Sequence, residues 1–360
     1  MNNKSKNQKF NFFVGVDISR DKLDFSILDE QRFLLHKELL NETEPVKTFL
    51  NDLKKVKGFR LRNTIFCMEN TGFYGNQLIS ILSKLNANFV VENPLRIKNS
   101  FGLTRGKDDR MDSLRIAQYA KRHQTELKFW EPKRAVLLHL ISLVTVRERL
   151  LTVSRGLMTP LKEQKKFTSL DIQDVATFSC SQSISALKLD LAAIDLTILK
   201  LINSDERLKR LKDIIISVPC VGIQTAILIL IYTNEFIDIQ NPKKFACYAG
   251  VAPFPKESGK MKGKSRVSPF ANKKVKAVLH LCAMTSVRND SEIKAYYERK
   301  TLKEGKAKMA VLNAIRNKII LRIFACLNQD RLYLKDFINP LKGHHVEIVS
   351  SDILQTSGPM

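Results

Sequence analysis

Four acidic residues, Asp17, Glu69, Asp109 and Asp112, stand where folding could gather them around one divalent cation. Asp17 and Glu69 each lie at or near the end of an apolar run typical of a β-strand. Asp109 and Asp112 are three residues apart on a predicted helix, so their carboxylates share one face. Clustered carboxylates cost free energy unless a cation neutralises them. Hard oxygen ligands suit Mg²⁺ or Mn²⁺, and such ions serve phosphate chemistry.

The same acids have simpler interpretations. Asp17 can begin a turn, Glu69 can end a strand, and Asp109 can cap a helix. For any one acid alone the structural role is the better interpretation. The ordered set of four, within an α/β pattern, favours a metal site instead.

Neighbouring acids compete less well for this site. Asp108 is adjacent to Asp109 but lacks the three-residue step to Asp112 that aligns two carboxylates on a helix. Asp21 and Asp24 lie in or beside a predicted hairpin, and we expect them at the surface.

A second chemical candidate is the basic segment Pro255–Arg266, in which Ser258 precedes Gly259. A hydroxyl in a flexible cationic loop can approach a phosphate, and nearby ammonium groups stabilise an alkoxide and the transition-state charge. A serine in such a loop is more often a turn residue, and Ser265 and Ser268 are equal rivals. Basic side chains bind phosphates through counterion release, without sequence readout. The predicted nucleic-acid contacts are Arg105, Lys107, Lys256, Lys260, Lys262, Lys264, Arg266, Asn272 and Lys273.

Composition points to a folded, nucleic-acid-binding protein. The chain has 360 residues, which predicts two domains and a connector rather than one core. Its apolar fraction of 44% excludes wholesale disorder. Its formal net charge of +24 indicates a polyanionic partner, with nucleic acid favoured over a membrane surface.

Cysteine usage and the apolar segments indicate a soluble cytoplasmic protein with no membrane contact. The six cysteines form no CxxC pair, which predicts reduced thiols and no zinc knuckle. The first ten residues lack the apolar core of a signal peptide. The uncharged stretch 214–232 is interrupted by Pro219 and Gly222, so two buried half-helices fit it better than a membrane span.

The N-terminal third predicts a mixed α/β layer. Strands are expected at 12–18, 23–28 and 32–38 as a meander, and then at 64–68 and 88–91 alternating with helices. This order is the one expected of an RNase H-like fold, and it places acids at strand ends.

Long helices follow. The stretch 133–164 predicts a helix that Pro160 should kink or end, and the polar stretch Thr168–Ser183 predicts a turn. Apolar residues then repeat at three- and four-residue steps from Ile184 to Leu201, which predicts an antiparallel coiled-coil arm, with a simple helical core as the alternative.

The remaining chain predicts a mainly helical second domain. It opens with two predicted helices joined by the segment from Pro219 to Gly222. This arrangement resembles a helix-hairpin-helix, in which the amides of the turn face a phosphate. A polar loop is expected at 253–269, helices at 272–287 and 307–327, and a mobile tail after them. The predicted divisions are a basic tail 1–11, an RNase H-like domain 12–130, a coiled-coil arm 131–206, a C-terminal domain 207–328 and a tail 329–360.

Several short motifs resemble one family. Gly15-Val16-Asp17-Ile18-Ser19, Met68-Glu69-Asn70-Thr71-Gly72, Val91-Glu92-Asn93-Pro94 and Asp108-Asp109 with Asp112-Ser113 are similar to motifs of the DEDD transposases of insertion sequences. This is the IS-one-ten group, which includes the Piv-type DNA invertases. Val218-Pro219-Cys220-Val221-Gly222, Tyr248-Ala249-Gly250 and Glu257-Ser258-Gly259 resemble its C-terminal domain, so the likeness spans about residues 12 to 325.

The resemblance implies a RuvC-like nuclease domain, a coiled-coil arm and a C-terminal domain that contributes a nucleophilic serine. It implies that Asp17, Glu69, Asp109 and Asp112 bind the metal, and it selects Ser258 among the loop serines. It also implies donor and target DNA as partners, a structured guide RNA, and a homodimer or homotetramer. Cys220, Ala271 and Lys276 depart from residues that are usual in the family.

Two other function classes remain open from the sequence. In a metal-dependent nuclease or junction resolvase, water would attack the phosphodiester and Ser258 would only bind phosphate. In a scaffold, the chain would bind nucleic acid without catalysis. The RNA-guided recombinase with a phosphoserine intermediate is the main hypothesis.

Overall fold

The computed structural model describes residues 9–70, 72–102, 108–164, 167–258 and 261–335. Side chains are described for the same residues except 256–258, 261, 262, 264 and 265. The chain divides into two compact units, Met1–Pro132 and Lys133–Met360. Within the described ranges no helix is both long and apolar enough to cross a membrane.

A five-stranded mixed sheet forms the N-terminal unit, in the order β3-β2-β1-β4-β5. Strand β1 pairs antiparallel with β2 and parallel with β4, and the two outer pairs are β2 with β3 (antiparallel) and β4 with β5 (parallel). An antiparallel meander followed by parallel strands confirms the predicted RNase H-like fold. The strands are β1 (Phe12–Ile18), β2 (Lys22–Asp29), β3 (Phe33–Leu40), β4 (Thr64–Glu69) and β5 (Asn88–Glu92).

Helices cover both faces of this sheet. The helices are α1 (Thr43–Leu53), α2 (Asn76–Lys84), α3 (Pro94–Asn99) and α4 (Asp109–Arg122). Successive strand residues point to opposite faces. Thus Val14 and Val16 of β1 pack with α1 and α2, whereas Phe13 packs with residues of α3 and α4. The sequence did not predict the short helix α3, which Asn93 caps by accepting a hydrogen bond from the Leu95 amide.

Gly15 lets α4 lie directly on β1. A Cβ at this position would stand 2.1 Å from the Ser113 carbonyl oxygen and 2.3 Å from the Ala117 amide nitrogen. A buried hydrogen bond of 2.8 Å between the Ser26 and Ser113 hydroxyls ties the same helix to β2. The Tyr119 hydroxyl donates to Glu92 of β5 at 3.0 Å. These contacts determine where the first turn of α4 lies.

Gly15→Ala should strongly destabilise the N-terminal unit, because the new methyl group collides with helix backbone that cannot rotate away. Overpacking typically costs about 1–3 kcal/mol, and we expect the upper end of that range. Urea denaturation followed by circular dichroism measures the loss. The control is Gly156→Ala: Gly156 lies inside α5, and apart from its own stretch of helix backbone nothing lies within 4 Å of the place its new methyl group would take, so this variant should gain about 0.5–1 kcal/mol. Equal stability of the two variants would contradict the close approach.

Two long antiparallel helices open the C-terminal unit as the predicted arm. They are α5 (Ala135–Gln164) and α6 (Leu170–Ser204), and Arg147 of α5 pairs with Asp195 of α6 at 2.5 Å. The predicted apolar seam of α6 is half-buried along its length and fully buried at Ile198. The predicted antiparallel pairing of two long helices is therefore confirmed.

Helix α5 continues through Pro160 to Gln164, the predicted end of this helix, so of the two effects predicted for that proline it does not end the helix. One detail of the arm was predicted wrongly. The stretch Thr168–Ser183 is not the turn between the helices, since all but its first two residues belong to α6. Its Ser and Thr residues are interspersed with apolar side chains, and two of its hydroxyls bond back to helix carbonyls, as Ser179 does to Val175.

Ion pairs fix the root of the arm to the helical body. Arg134, just before α5, pairs with Asp205 and, at 2.7 Å, with Glu235. Arg207 also contacts Glu235, at 3.0 Å. The Glu235 side chain is buried, and residues 234–236 all have positive φ. Such backbone is rare outside glycine and persists only where surrounding contacts hold it.

The rest of the C-terminal unit is a helical body. Its helices are α7 (Glu206–Ser217), α8 (Ile223–Thr233), α9 (Pro242–Tyr248), α10 (Lys273–Asn289), α11 (Ser291–Glu298) and α12 (Lys308–Asn328). The two helices and the connection predicted at 211–230 are present, as α7, residues 218–222 and α8. Between them Cys220 has φ +64°, a conformation that favours glycine, which explains why a glycine is usual here in the family that the motifs resemble. Helix α11 was not predicted.

The segment predicted as a polar loop at 253–269 is instead a β-hairpin. Strands β6 (Pro253–Ser258) and β7 (Met261–Val267) pair antiparallel, with Ser258 opposite Met261. The prediction failed because lysines and glycines interrupt the alternation that marks a half-buried strand. Gly259 and Lys260, between the strands, lie outside the described residues.

Candidate active site

The ends of two neighbouring strands bring Asp17 and Glu69 together. Parallel pairing of β1 with β4 sets Val16 opposite Met68, so the next residues of the two strands are neighbours. Both follow residues that face α1 and α2, so by alternation both face α4. Both side chains are half-buried. The sheet therefore directs two carboxylates toward the start of that helix.

The first turn of α4 supplies the other two acids. Asp108 caps the helix by accepting a hydrogen bond from the Arg110 amide, which leaves Asp109 and Asp112 as the pair on one face. Asp17, Glu69, Asp109 and Asp112 line one cleft of about 560 Å³. The structure thus places all four predicted acids in a single cleft.

Burial and mutual repulsion alter the ionisation of the deeper acids. The pKa of Asp17 is raised, first by burial and then by the negative charges of Asp112 and Asp109. The pKa of Glu69 is raised by burial and then by Asp17 and Asp112. The negative charges of neighbouring acids therefore disfavour the ionised forms of Asp17 and Glu69, and a cation in the cleft would relieve this repulsion.

Two basic side chains hold the outer acids. Lys22 of β2 contacts Asp109 at 2.9 Å and Glu38 at 3.0 Å, and these acids raise the pKa of the lysine. Arg115 pairs with Asp112 at 2.8 Å. Within the described part of the chain, no three acidic, histidine or cysteine side chains already converge as a metal-binding group. The four carboxylates share a cleft, but Asp109 and Asp112 form ion pairs with basic side chains instead of converging with the other two.

The donor set nevertheless fits a hard divalent cation. All four side chains offer carboxylate oxygens, and the inner two repel each other and the helix pair. Asp109 and Asp112 can turn from Lys22 and Arg115, because these pairs are partly exposed and surface ion pairs are weak. A divalent cation that binds in this cleft would then replace Lys22 and Arg115 as the partner of Asp109 and Asp112.

Lys22→Met should tighten divalent-cation binding, because it removes the side chain that competes for Asp109. We expect a Kd for Mn²⁺ that is about three- to five-fold lower, as is typical for loss of an exposed pair. Isothermal titration of the purified protein measures it. Lys47→Met is the matched control, since Lys47 pairs with Glu44 on α1, outside the cleft. An unchanged or higher Kd for Lys22→Met would refute this replacement.

The sequence missed these basic residues and misjudged one acid. Arg115 could have been found, because it lies three residues after Asp112 on the same helix. Lys22 could not, because its contact with Asp109 depends on how α4 packs on the sheet. Asp24 was expected at the surface but is buried, with His36 at 2.9 Å and Lys22 at 3.6 Å.

Ser258 lies at the end of β6, next to the turn of the hairpin. The structure describes its backbone but not its side chain, and the same holds for Lys256, Lys262 and Lys264. Arg105, Lys107 and Lys260 lie outside the described residues. Arg266 and Lys273 are exposed. Asn272 caps α10, accepting from the Val275 amide and donating to the Tyr248 hydroxyl.

Two family models match this chain, one over most of the N-terminal unit and the first helix of the arm, the other within the C-terminal unit. Residues 14–161 match the DEDD transposase model of the IS110 type, and residues 212–298 match the transposase IS116/IS110/IS902 family. Together they include all four acids of the cleft and Ser258.

Relatives found by sequence agree with these matches. The pilin gene-inverting proteins of Moraxella bovis and Moraxella lacunata are each 23% identical over 336 residues, covering 90% of this chain and 98% of theirs. An IS110 protein of Streptomyces coelicolor is 25% identical over 44% of this chain and 38% of its own. A solved T. thermophilus RuvC in complex with a Holliday junction substrate is 13% identical, covering 33% of this chain and 99% of that one, with a TM-score of 0.26. The chain belongs to the IS110 family of transposases, which are DNA recombinases.

Proposed function

We propose that this transposase cuts and rejoins DNA through a phosphoserine link on Ser258, assisted by Mg²⁺ or Mn²⁺ bound by Asp17, Glu69, Asp109 and Asp112. The observation that carries the proposal is the four-carboxylate cleft, in a chain of net charge +24. A protein that binds polyanions gains nothing from clustering acids unless a cation intervenes between them and phosphate.

The cleavage step is a transesterification. The Ser258 hydroxyl gives up its proton, its oxygen bonds to phosphorus, and the bond from phosphorus to one deoxyribose oxygen breaks. That oxygen takes a proton and leaves as a hydroxyl. A deoxyribose hydroxyl of the second DNA then attacks the phosphoserine, restores the serine and forms the new junction. The number of phosphoester bonds is conserved, so rejoining needs no ATP.

The acids and the serine come from different units of the chain. Asp17 and Glu69, at adjacent strand ends, would be the inner ligands, and Asp109 and Asp112 would complete the set after leaving Lys22 and Arg115. When bound, a divalent cation supplies neutralisation of phosphate charge at the reacting group.

Positive side chains in the C-terminal unit support contact with nucleic-acid backbones. Arg299, Lys300 and Lys318 lie 4.7–6.0 Å from the centre of the Tyr296 ring, beside a π-helical turn over residues 299–303. Arg299 is exposed and the two lysines are half-buried. Cationic side chains bind phosphates without reading bases. This property suits a recombinase whose target is chosen by a structured guide RNA that pairs with donor and target DNA in the bacterial cytoplasm.

Exposed apolar residues on the arm support assembly into a homodimer or homotetramer. Leu170, Val175, Phe178 and Leu189 of α6 are each about two-thirds exposed or more. A row of such side chains on a long helix is typical of a surface that packs on another protein copy.

A trapping experiment tests the reaction. The protein is incubated with Mg²⁺, labelled DNA carrying the gene with its flanks, and RNA transcribed from those flanks. We expect a protein–DNA adduct that survives denaturant and disappears with EDTA. Free DNA ends with no adduct would favour the alternative, a metal-dependent nuclease or junction resolvase that uses water.

A further inference from the structure

The position of the β6–β7 hairpin depends on its two ends. The strands pair with each other, and no described helix packs extensively along them. The chain enters β6 through Gly250 and Val251 and leaves β7 toward Ala271 and Asn272. Contacts at these four residues therefore decide where Ser258 is presented.

Helices α9 and α12 hold the residue that leads into β6. The Val251 amide donates to the Ala246 carbonyl of α9 at 2.8 Å. The Val251 carbonyl accepts from the side-chain amide of Asn313, on α12, at 2.6 Å. Val251 is fully buried, so both of its backbone polar groups are fixed in a place that water does not reach.

Arg316 orients the Asn313 amide. Its Nη1 donates to Asn313 Oδ1 at 3.2 Å, which leaves the Asn313 nitrogen to face Val251. Its Nη2 contacts His280 Nδ1 of α10 at 2.7 Å. A guanidinium only donates, so His280 must accept through Nδ1 as a neutral ring. Burial and Arg316 both lower the pKa of His280, in agreement with this state. We call His280, Arg316 and Asn313 the root clamp.

The far end of the hairpin is fixed to the same body. The Asn272 backbone amide donates to the Tyr248 carbonyl at 2.9 Å, and its side chain donates to the Tyr248 hydroxyl at 2.8 Å. Gly250, with φ +63°, lies so close to Ala271 that a Cβ on it would be 2.5 Å from the Ala271 Cβ. The two ends of the hairpin thus touch each other and the helices beneath.

Arg316 is unusual among the buried charges of this protein. Asp24, Glu92 and Glu235 are also buried, and each has an ion-pair partner. Arg316 is 4% exposed, has no acidic partner in the described part of the chain, and leaves its Nε unbonded. A buried charge without a counter-ion costs desolvation free energy that hydrogen bonds to neutral groups recover only in part. Stability alone therefore does not account for this arginine, whereas its bond to Asn313 does.

We propose that His280, Arg316 and Asn313 are positioning residues that hold the hairpin root so that Ser258 is presented correctly for attack. This inference rests on the proposed function, in which Ser258 is the nucleophile. None of the three residues needs to touch DNA. They act through the Val251 carbonyl, seven residues before the serine.

Asn313→Asp is the sharpest test. Aspartate keeps the size and the oxygen that Arg316 requires and adds a charge to that pair, but it replaces the donor that faces Val251 with an acceptor. We expect single-turnover adduct formation at saturating DNA to slow by about 100-fold, as small misplacements of reacting groups can do. DNA Kd and Tm should stay near wild type. Asn317→Asp, four residues along α12, is the matched control and should leave the rate unchanged.

Arg316→Met tests the positioning role independently. It should slow adduct formation similarly while Tm changes little, because removing a buried charge that has no counter-ion offsets the acceptors left unpaired on Asn313 and His280. Asn313→Gln, which keeps an amide donor, should recover part of the rate. Wild-type rates in Asn313→Asp and Arg316→Met, or rates that fall only in proportion to Tm, would overturn the positioning role.

The outcome separates this inference from the proposed function. If Ser258→Ala forms no adduct but the root-clamp variants react normally, only the positioning role fails. If the wild-type protein forms no adduct, or Ser258→Ala still forms one, the nucleophile assignment fails, and the root clamp fails with it.

Discussion

Ser258→Ala should abolish the denaturant-stable protein–DNA adduct and strand exchange, because alanine lacks the hydroxyl oxygen that bonds to phosphorus. The loss should reach the detection limit, at least about 10³-fold, as when a nucleophile is removed from a covalent mechanism. DNA affinity should hold, since the hairpin keeps its lysines. Gel analysis of labelled DNA in denaturant measures the adduct, and fluorescence anisotropy measures binding.

Ser265→Ala and Ser268→Ala are the matched controls, because both residues were rivals on sequence alone and both lie near the same hairpin. They should retain most of the adduct. Cleavage that persists in Ser258→Ala with free ends would identify water as the nucleophile and support the nuclease alternative. An adduct that moves to Ser265 or Ser268 would show that the wrong serine was chosen.

Asp17→Asn should lower the rate of strand cleavage but leave the melting temperature of the metal-free protein equal or higher. The amide cannot replace a charged ligand, so strand cleavage should fall by at least about 10³-fold, corresponding to roughly 4 kcal/mol of transition-state stabilisation. The metal-free protein should melt at an equal or higher temperature, because burial and the charges of Asp112 and Asp109 disfavour the Asp17 carboxylate. The rise in Tm that Mn²⁺ causes in the wild-type protein should disappear.

Asp21→Asn provides the control for that measurement. Asp21 is exposed, pairs with Arg20 and does not line the cleft, so neither cleavage nor the Mn²⁺ effect should change. If Asp17→Asn recombines DNA normally, the cleft is not a catalytic metal site. Retained DNA binding in that case would favour a scaffold.

Much of the N-terminal unit could be predicted because its signals are local. The apolar runs of β1 and β4 and the alternation within them place Asp17 and Glu69 at neighbouring strand ends. The three-residue step places Asp109 and Asp112 on one helix face. The contacts of Lys22 and the burial of Asp24 could not be predicted, because they depend on the approach of α4 that Gly15 allows.

The errors in the C-terminal unit have different physical causes. Helix α6 takes in all but the first two residues of Thr168–Ser183 although most side chains there are exposed, and hydroxyls of this polar stretch bond to helix carbonyls, as Ser179 does to Val175. Backbone pairing forms the 253–267 hairpin without an apolar face. The root clamp could not be predicted from the sequence, because His280, Arg316 and Val251 come together only when three distant segments of the chain pack. Cys220 was noted as a departure, and its positive φ now gives the physical reason for a preference for glycine there.

The buried pairing of Arg134 with Glu235 has a mechanical consequence for the arm. A helix of thirty residues is about 45 Å long, so a tilt of about 10° at its base carries the far tip through about 8 Å. Tethering the base to a carboxylate with no solvent around it suppresses that swing. A few contacts at the base therefore fix the direction of the whole arm, and a partner that binds its far end meets that end at a nearly constant position.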